Sequence, residues 1–160
     1  VTFEDGLSMS FKKICAFVGS LIIGLIGVQS DAHAYKLSED DCMALAAFKE
    51  ARGEPIIGQA AVIKVVLNRM RHADFPSTAC GVVFQRTVKV CQFSWACKRV
   101  TLPSVDQLAP FYSVVKMVKS GTFDMLLSDR ILFFRSRRMR GGWKYPHIAT
   151  FGNHNFFALT

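Results

Sequence analysis

Apolar and polar positions follow a helical period early in the chain and a period of two later. After Leu37 and Ser38, the acids Glu39, Asp40 and Asp41 open a stretch in which Met43, Ala46, Ala47 and Glu50 share one face. Ser38 can cap such a helix, the acids suit its positive end, and Leu37 can staple its entry. The pattern predicts a helix over residues 39–52, with Gly53 at C′ and Pro55 forbidding continuation. Ala60, Ile63, Val66, Leu67 and Met70 share a face in a second helix, over residues 58–72. A third starts with Pro110 near its first turn and ends at Gly121. Residues 82–85, "VVFQ", are too short to classify. Strict alternation appears in "VKVCQFSWACK", residues 88–98, which reads as a strand or hairpin. "RILFFRS" reads as a strand, and "HIATFGNHNFFAL" as two strands joined by a Gly-Asn turn. Helices come first and strands cluster late, so the expected class is α+β.

The most apolar run lies outside this pattern. Lys12 and Lys13 precede fifteen uncharged residues, Ile14 to Val28, and Ala32-His33-Ala34 follows. A positive start, a run too short for a comfortable bilayer span and small residues at a cleavage site describe a signal peptide. Cleavage is expected after Ala34, which leaves residues 35–160 as one domain. Left uncleaved, the run would anchor the chain to a membrane. A buried core helix is the plainer alternative. Glu4 and Asp5 sit awkwardly ahead of the lysines, so Met9 is a candidate start.

Charge narrows the partner. From Tyr35 onward, 18 Lys and Arg face 9 Asp and Glu. Such an excess suits an anionic surface or polymer. Export argues against an intracellular nucleic-acid role and for a polymer of the bacterial envelope. The densest basic run, "RSRRMRGGWK" at residues 135–144, reads equally as a solvated loop or as a contact surface for an acidic polymer.

Cys42, Cys80, Cys91 and Cys97 remain after the leader. An even number in an exported domain suggests up to two disulfides, with three pairings open. Neither CxxC nor HxxxH is present, so no metal site and no cofactor are expected.

Candidate chemistry centres on "AFKEARGEP", residues 47–55. Glu50 would sit on a small apolar face in the last helical turn. Desolvation and the negative helix end both disfavour its anion, which suits a general acid near neutral pH. The plainer reading pairs it with Lys49 or Arg52 on the surface. Glu54 follows the helix stop and is expected to be more solvated, as a second carboxylate, a substrate contact or a partner for Arg52. In "CQFSWAC", Gln92, Ser94 and Ala96 would face one side of a strand, with Phe93 and Trp95 on the other. Amide and hydroxyl groups can bond a neutral sugar, and aromatic faces can stack on it. Ser94 with His147 and His154 invites a serine-hydrolase reading, but no GxSxG elbow surrounds Ser94.

Three stretches, "FKEARGEPIIGQAAVIKVVLNRM", "STACGVVFQ…CQFSWAC" and "WKYPHIATFGNHNFF", resemble the cell wall hydrolase family that includes the spore cortex-lytic enzymes. The resemblance runs from about Cys42 to Phe157. It implies a lysozyme-like α+β domain, with a helical core and a small antiparallel β element, that cleaves peptidoglycan glycan strands as a lytic transglycosylase. It implies Glu50 as the catalytic acid, and Gln92, Phe93 and Ser94 as cleft residues. His154 falls in a matching Gly-Asn-His segment, and Glu54 and Trp95 complete the expected substrate contacts. Phe133 and Phe134 stand where many members carry tyrosines, and the loop after them is unusually basic.

The mechanism implied has Glu50 protonate the oxygen between MurNAc and GlcNAc. It then takes a proton from the sugar's own C6 hydroxyl, closing a 1,6-anhydro ring. A water-using muramidase would need a second carboxylate, for which Glu54 is the nearest candidate. An amidase would ordinarily need zinc ligands that the chain lacks. A non-enzymatic wall-binding protein would explain the charge but not the setting of Glu50. The chain is expected to act as a monomer, in the periplasm or cell wall.

Overall fold

A computed structural model describes residues 36–88 and 90–159. The expected leader and any anchor therefore lie outside the described residues. Four helices, α1 (Glu39–Ala51), α2 (Ile56–Met70), α3 (Ala79–Val83) and α4 (Val105–Lys119), precede three strands, β1 (Phe133–Ser136), β2 (His147–Phe151) and β3 (His154–Phe157). The strands form one antiparallel sheet in the order β1-β3-β2. This is the α+β arrangement expected from the sequence. Among the described residues, no helix is long and apolar enough to cross a membrane.

The first helix is the centre of the core. Ser38 Oγ accepts from the Asp41 N–H, and Asp41 returns a bond to the Ser38 N–H, closing a capping box. Every residue from Asp41 to Ala47 is buried, because α2, α3 and α4 all pack against α1. The alanines let these helices approach closely. Buried Asp41 is satisfied by the Tyr112 hydroxyl of α4. The Glu39 carboxylate accepts from the Ala79 N–H, and a Cys42–Cys80 disulfide fixes α3 beside it.

The stop after α1 is sharper than expected. Gly53 does not take the left-handed conformation of a C′ glycine, since positive φ occurs only at Gly121, Gly141 and Gly152 among the described residues. Pro55 does the work instead. It ends one helix and stands at the N-cap of the next, so α2 begins at Ile56, two residues before the expected Gly58.

Two other boundaries differ. The helix expected to start at Pro110 starts at Val105, capped by Ser104 with Gln107 in a second capping box. Pro110 then lies inside the helix, near its exposed N-terminal end, where the carbonyl it leaves unpaired can be hydrated. The described residues of the stretch 88–98 form no strand, and of the expected hairpin only a tight turn is present. Arg86 and Cys91 make one isolated bridge, and Ser94–Cys97 wind into a 3₁₀ turn. A Cys91–Cys97 disulfide explains this, with Cα atoms 5.7 Å apart. An extended strand would separate these positions by about 20 Å.

The sheet is tied to α2 by two buried polar side chains. Asn68 Nδ2 donates to the carbonyls of Ser128 and Ile131, and Arg69 Nε donates to that of Leu132. Burial lowers the Arg69 pKa to about 10. Its guanidinium lies over the rings of Phe75, Phe93 and Phe133. The β2–β3 hairpin turns through Gly152 and Asn153, as expected, with Gly152 at φ +55°.

Candidate active site

Glu50 is the last residue but one of α1. Its side chain enters a cleft of about 420 Å³ whose opposite walls come from β1, the loop after it, and His154 at the start of β3. Burial raises its pKa. The Trp95 indole N–H donates to Oε1 at 2.8 Å and opposes part of that rise. Neither cation of the plainer surface reading pairs with it. Lys49 donates to the Thr101 carbonyl, and Arg52 lies over the Phe48 ring. The carboxyl is thus biased toward the protonated form and steered by one neutral donor, which is the setting of a general acid.

Glu54 stands apart from this cleft. Oε2 accepts from the Asn153 N–H at 2.7 Å, and Oε1 from Asn153 Nδ2 at 3.2 Å. Its carbonyl accepts from Gln59 Nε2. The side chain therefore ties the α1–α2 corner to the β2–β3 turn. Gly152 permits the closeness, because a Cβ there would fall 1.9 Å from Glu54 Oε2.

The structure divides the "CQFSW" residues. Trp95 reaches Glu50 and packs edge-on to Phe84. Phe93 does not face a substrate as the alternating reading required. It is 2% exposed and packs between Trp95 and Phe134. Its reach is that of a support beneath the site. Gln92 and Ser94 are exposed, and neither lines the Glu50 cleft. The strand faces assigned to Gln92, Ser94 and Ala96 do not exist, because the segment is a 3₁₀ turn.

His154 lines the same cleft as Glu50. Burial lowers its pKa, and the nearby Glu54 carboxylate offsets part of this. Its Nδ1 is buried without a hydrogen-bond partner among the described residues. A neutral imidazole here adds polarity without adding a charge that would drive Glu50 toward its anion.

Other cleft residues were only partly foreshadowed. Phe134, Arg135, Ser136, Met139 and Trp143 complete the lining. The basic run marked this segment as a contact candidate, but no sequence signal selects Ser136 or Met139. Phe134 packs against Phe93, His154 and Phe156, and so serves as wall rather than as a hydroxyl donor. Cys91–Cys97 braces the turn that carries Trp95. Among the described residues, no cluster of His, Cys, Asp and Glu could hold a metal ion.

The chain belongs to the cell wall hydrolase family, whose model matches residues 53–157. Glu50 lies just ahead of that stretch. A spore cortex-lytic enzyme of Bacillus cereus is 45% identical over 53 residues, which is 33% of this chain and 20% of that protein. One from Oceanobacillus iheyensis is 49% identical over 51 residues, or 32% of this chain and 18% of that protein. The chain thus covers about a fifth of the length of the curated relatives it matches.

Solved structures extend the likeness to the fold. The catalytic domain of the Bacillus cereus SleB protein is similar at a TM-score of 0.57 and 26% identity, over 78% of this chain and 93% of that one. The catalytic domain of SleB from Bacillus anthracis, described as a germination-specific lytic transglycosylase, is similar at 0.58 and 26% identity, over 78% and 98%.

Proposed function

We propose that this protein cleaves the glycan strands of peptidoglycan between MurNAc and GlcNAc as a lytic transglycosylase, with Glu50 as its acid and base. Family membership and the similarity to SleB catalytic domains support the substrate class. One observation carries the choice of mechanism: among the described residues Glu50 is the only carboxylate lining the cleft, while both oxygens of Glu54 are engaged by Asn153.

Glycosidases that use water or a covalent intermediate ordinarily place two carboxyl groups across the bond. A single group suffices when the substrate supplies the nucleophile. Glu50 gives its proton to the glycosidic oxygen as the MurNAc anomeric carbon becomes oxocarbenium-like. The resulting carboxylate, steadied by the Trp95 N–H, takes the proton of the C6 hydroxyl as that oxygen bonds to the anomeric carbon. One C–O bond breaks, one forms, and the acid is restored. His154 offers a neutral hydrogen-bonding group to the sugar. Access to the wall requires an exported protein, which the leader-like segment would provide.

Digestion of purified peptidoglycan followed by mass spectrometry tests this. Anhydro-muropeptides, one water lighter than hydrolysed ones, are expected. Reducing-end MurNAc products would instead mark a muramidase, free stem peptides an amidase, and no soluble product a binding protein.

A further inference from the structure

β1 and the loop after it carry Arg135, Arg137, Arg138, Arg140 and Lys144, and none of them forms an ion pair among the described residues. Three of the described cations outside this stretch pair with acids: Lys64 with Asp124 and Asp129, Arg71 with Asp129, and Lys119 with Asp40. The loop is also held in shape. Arg135 Nη2 donates to the Gly141 carbonyl at 2.6 Å, and its guanidinium lies over the Trp143 and Phe157 rings. Phe133 stacks on Tyr145 with ring centres 4.4 Å apart. Arg135 Nε is buried in the same wall without a partner. Arg135 and Trp143 line the cleft with Glu50, and Arg138 and Arg140 are exposed on either side of Met139, which lines it too.

The sugars themselves give such a wall nothing to pair with, since neither MurNAc nor GlcNAc carries a charge on its ring. The anionic groups nearest the cut bond belong to the peptide on the MurNAc lactyl group. We propose that Arg135, Arg138 and Arg140, beside the Trp143 face, form a subsite for a free carboxylate of that peptide stem. The proposal rests on the glycan-cleaving reading above. An arginine fork preorganised on aromatic faces suits a carboxylate better than a mobile lysine would.

The test compares kcat/KM on three preparations of one peptidoglycan: stems intact, stem carboxylates amidated, and stems removed. The wild type is expected to prefer intact stems about tenfold, the scale of one charge-assisted hydrogen bond, mainly through KM. Arg135→Gln should bring that ratio close to one. Because Arg135 also braces the loop, the exposed pair Arg138→Gln and Arg140→Gln provides a second variant with less risk to folding. Arg138→Lys with Arg140→Lys should restore part of the preference. Lys116→Gln, which removes one charge from α4, should leave it unchanged. Equal rates on all three preparations would overturn the subsite while leaving glycan cleavage intact. A preference that follows phosphate polymers on the wall, lost after they are extracted, would overturn it as well. Absence of glycan products from every preparation would remove both readings together.

Discussion

The Trp95 indole donates to Glu50 across 45 positions of sequence, joining the acid at the end of α1 to a turn closed by a disulfide. Burial and this bond act on the carboxyl in opposite directions, with burial the larger. The site thereby keeps a proton available without leaving the conjugate base unsupported.

Glu50→Gln should keep the fold and lose lytic rate by about 10²- to 10⁴-fold, the usual contribution of a positioned acid. Clearing of cell-wall suspensions at wild-type rate would contradict the assignment. The same variant carries a stability signature. A raised folded pKa means that Glu50's contribution is fully present below its unfolded value and is lost as pH rises through the folded value. Thermal unfolding should therefore favour the Gln variant at neutral pH, and this advantage should vanish in acid.

Trp95→Phe keeps an aromatic ring but removes the donor. Without that bond Glu50 should hold its proton to higher pH. The alkaline limb of the pH–rate profile, where the acid is lost, should move upward, and the maximum rate should fall because the carboxylate loses its support. An unmoved limb would mean that the bond does not set the titration.

Glu54→Gln separates structure from chemistry. It should cost about 1 kcal/mol of stability through a weakened hold on Asn153 and leave the anhydro product unchanged. A dead but folded variant would instead support a water-using muramidase. Gly152→Ala should cost more, about 1–3 kcal/mol, because it combines a left-handed backbone with a collision against Glu54.

The two disulfides should differ in what their loss disturbs. Cys42–Cys80 closes 38 residues of sequence separation within the core, and its removal should cost about 4 kcal/mol by chain entropy. Cys91–Cys97 closes only 6, worth about 2 kcal/mol, but it braces the Trp95 turn. Replacing Cys91 and Cys97 by Ser should reduce activity more than unfolding temperature. Paired melting curves and rate measurements on the two variants would distinguish them.

Much of the helical frame could be read locally. The acids after Ser38 and the proline at position 55 bound α1 to within a residue, because caps and breakers act over a few bonds. The place of Glu50 in the last turn of α1 was legible for the same reason. The start of α4 was not, because Pro110 is itself a helix-start signal and competes with the Ser104–Gln107 box that precedes it. The alternation around Phe93 and Trp95 suggested a strand, but pairing of Cys91 with Cys97 forces a turn, and sequence left that pairing open. The contacts that define the site's other partners are remote in sequence: Trp95 with Glu50, and Glu54 with Asn153. No local pattern encodes them, so the different partners of the two glutamates emerge only when the hairpin meets the helical corner.

That corner, from Glu50 to Ile56, joins the two sides of the cleft. One end carries the acid, the other starts α2, and between them Glu54 grips the turn that leads into His154. Glu54 is thus one tie between the two sides of the cleft, beside the Asn68 and Arg69 bonds that hold the chain entering β1 to α2. An insertion or deletion in this segment would shift the end of α1 that carries Glu50 relative to the turn before His154, so the spacing offered to a glycan strand should be sensitive to its length.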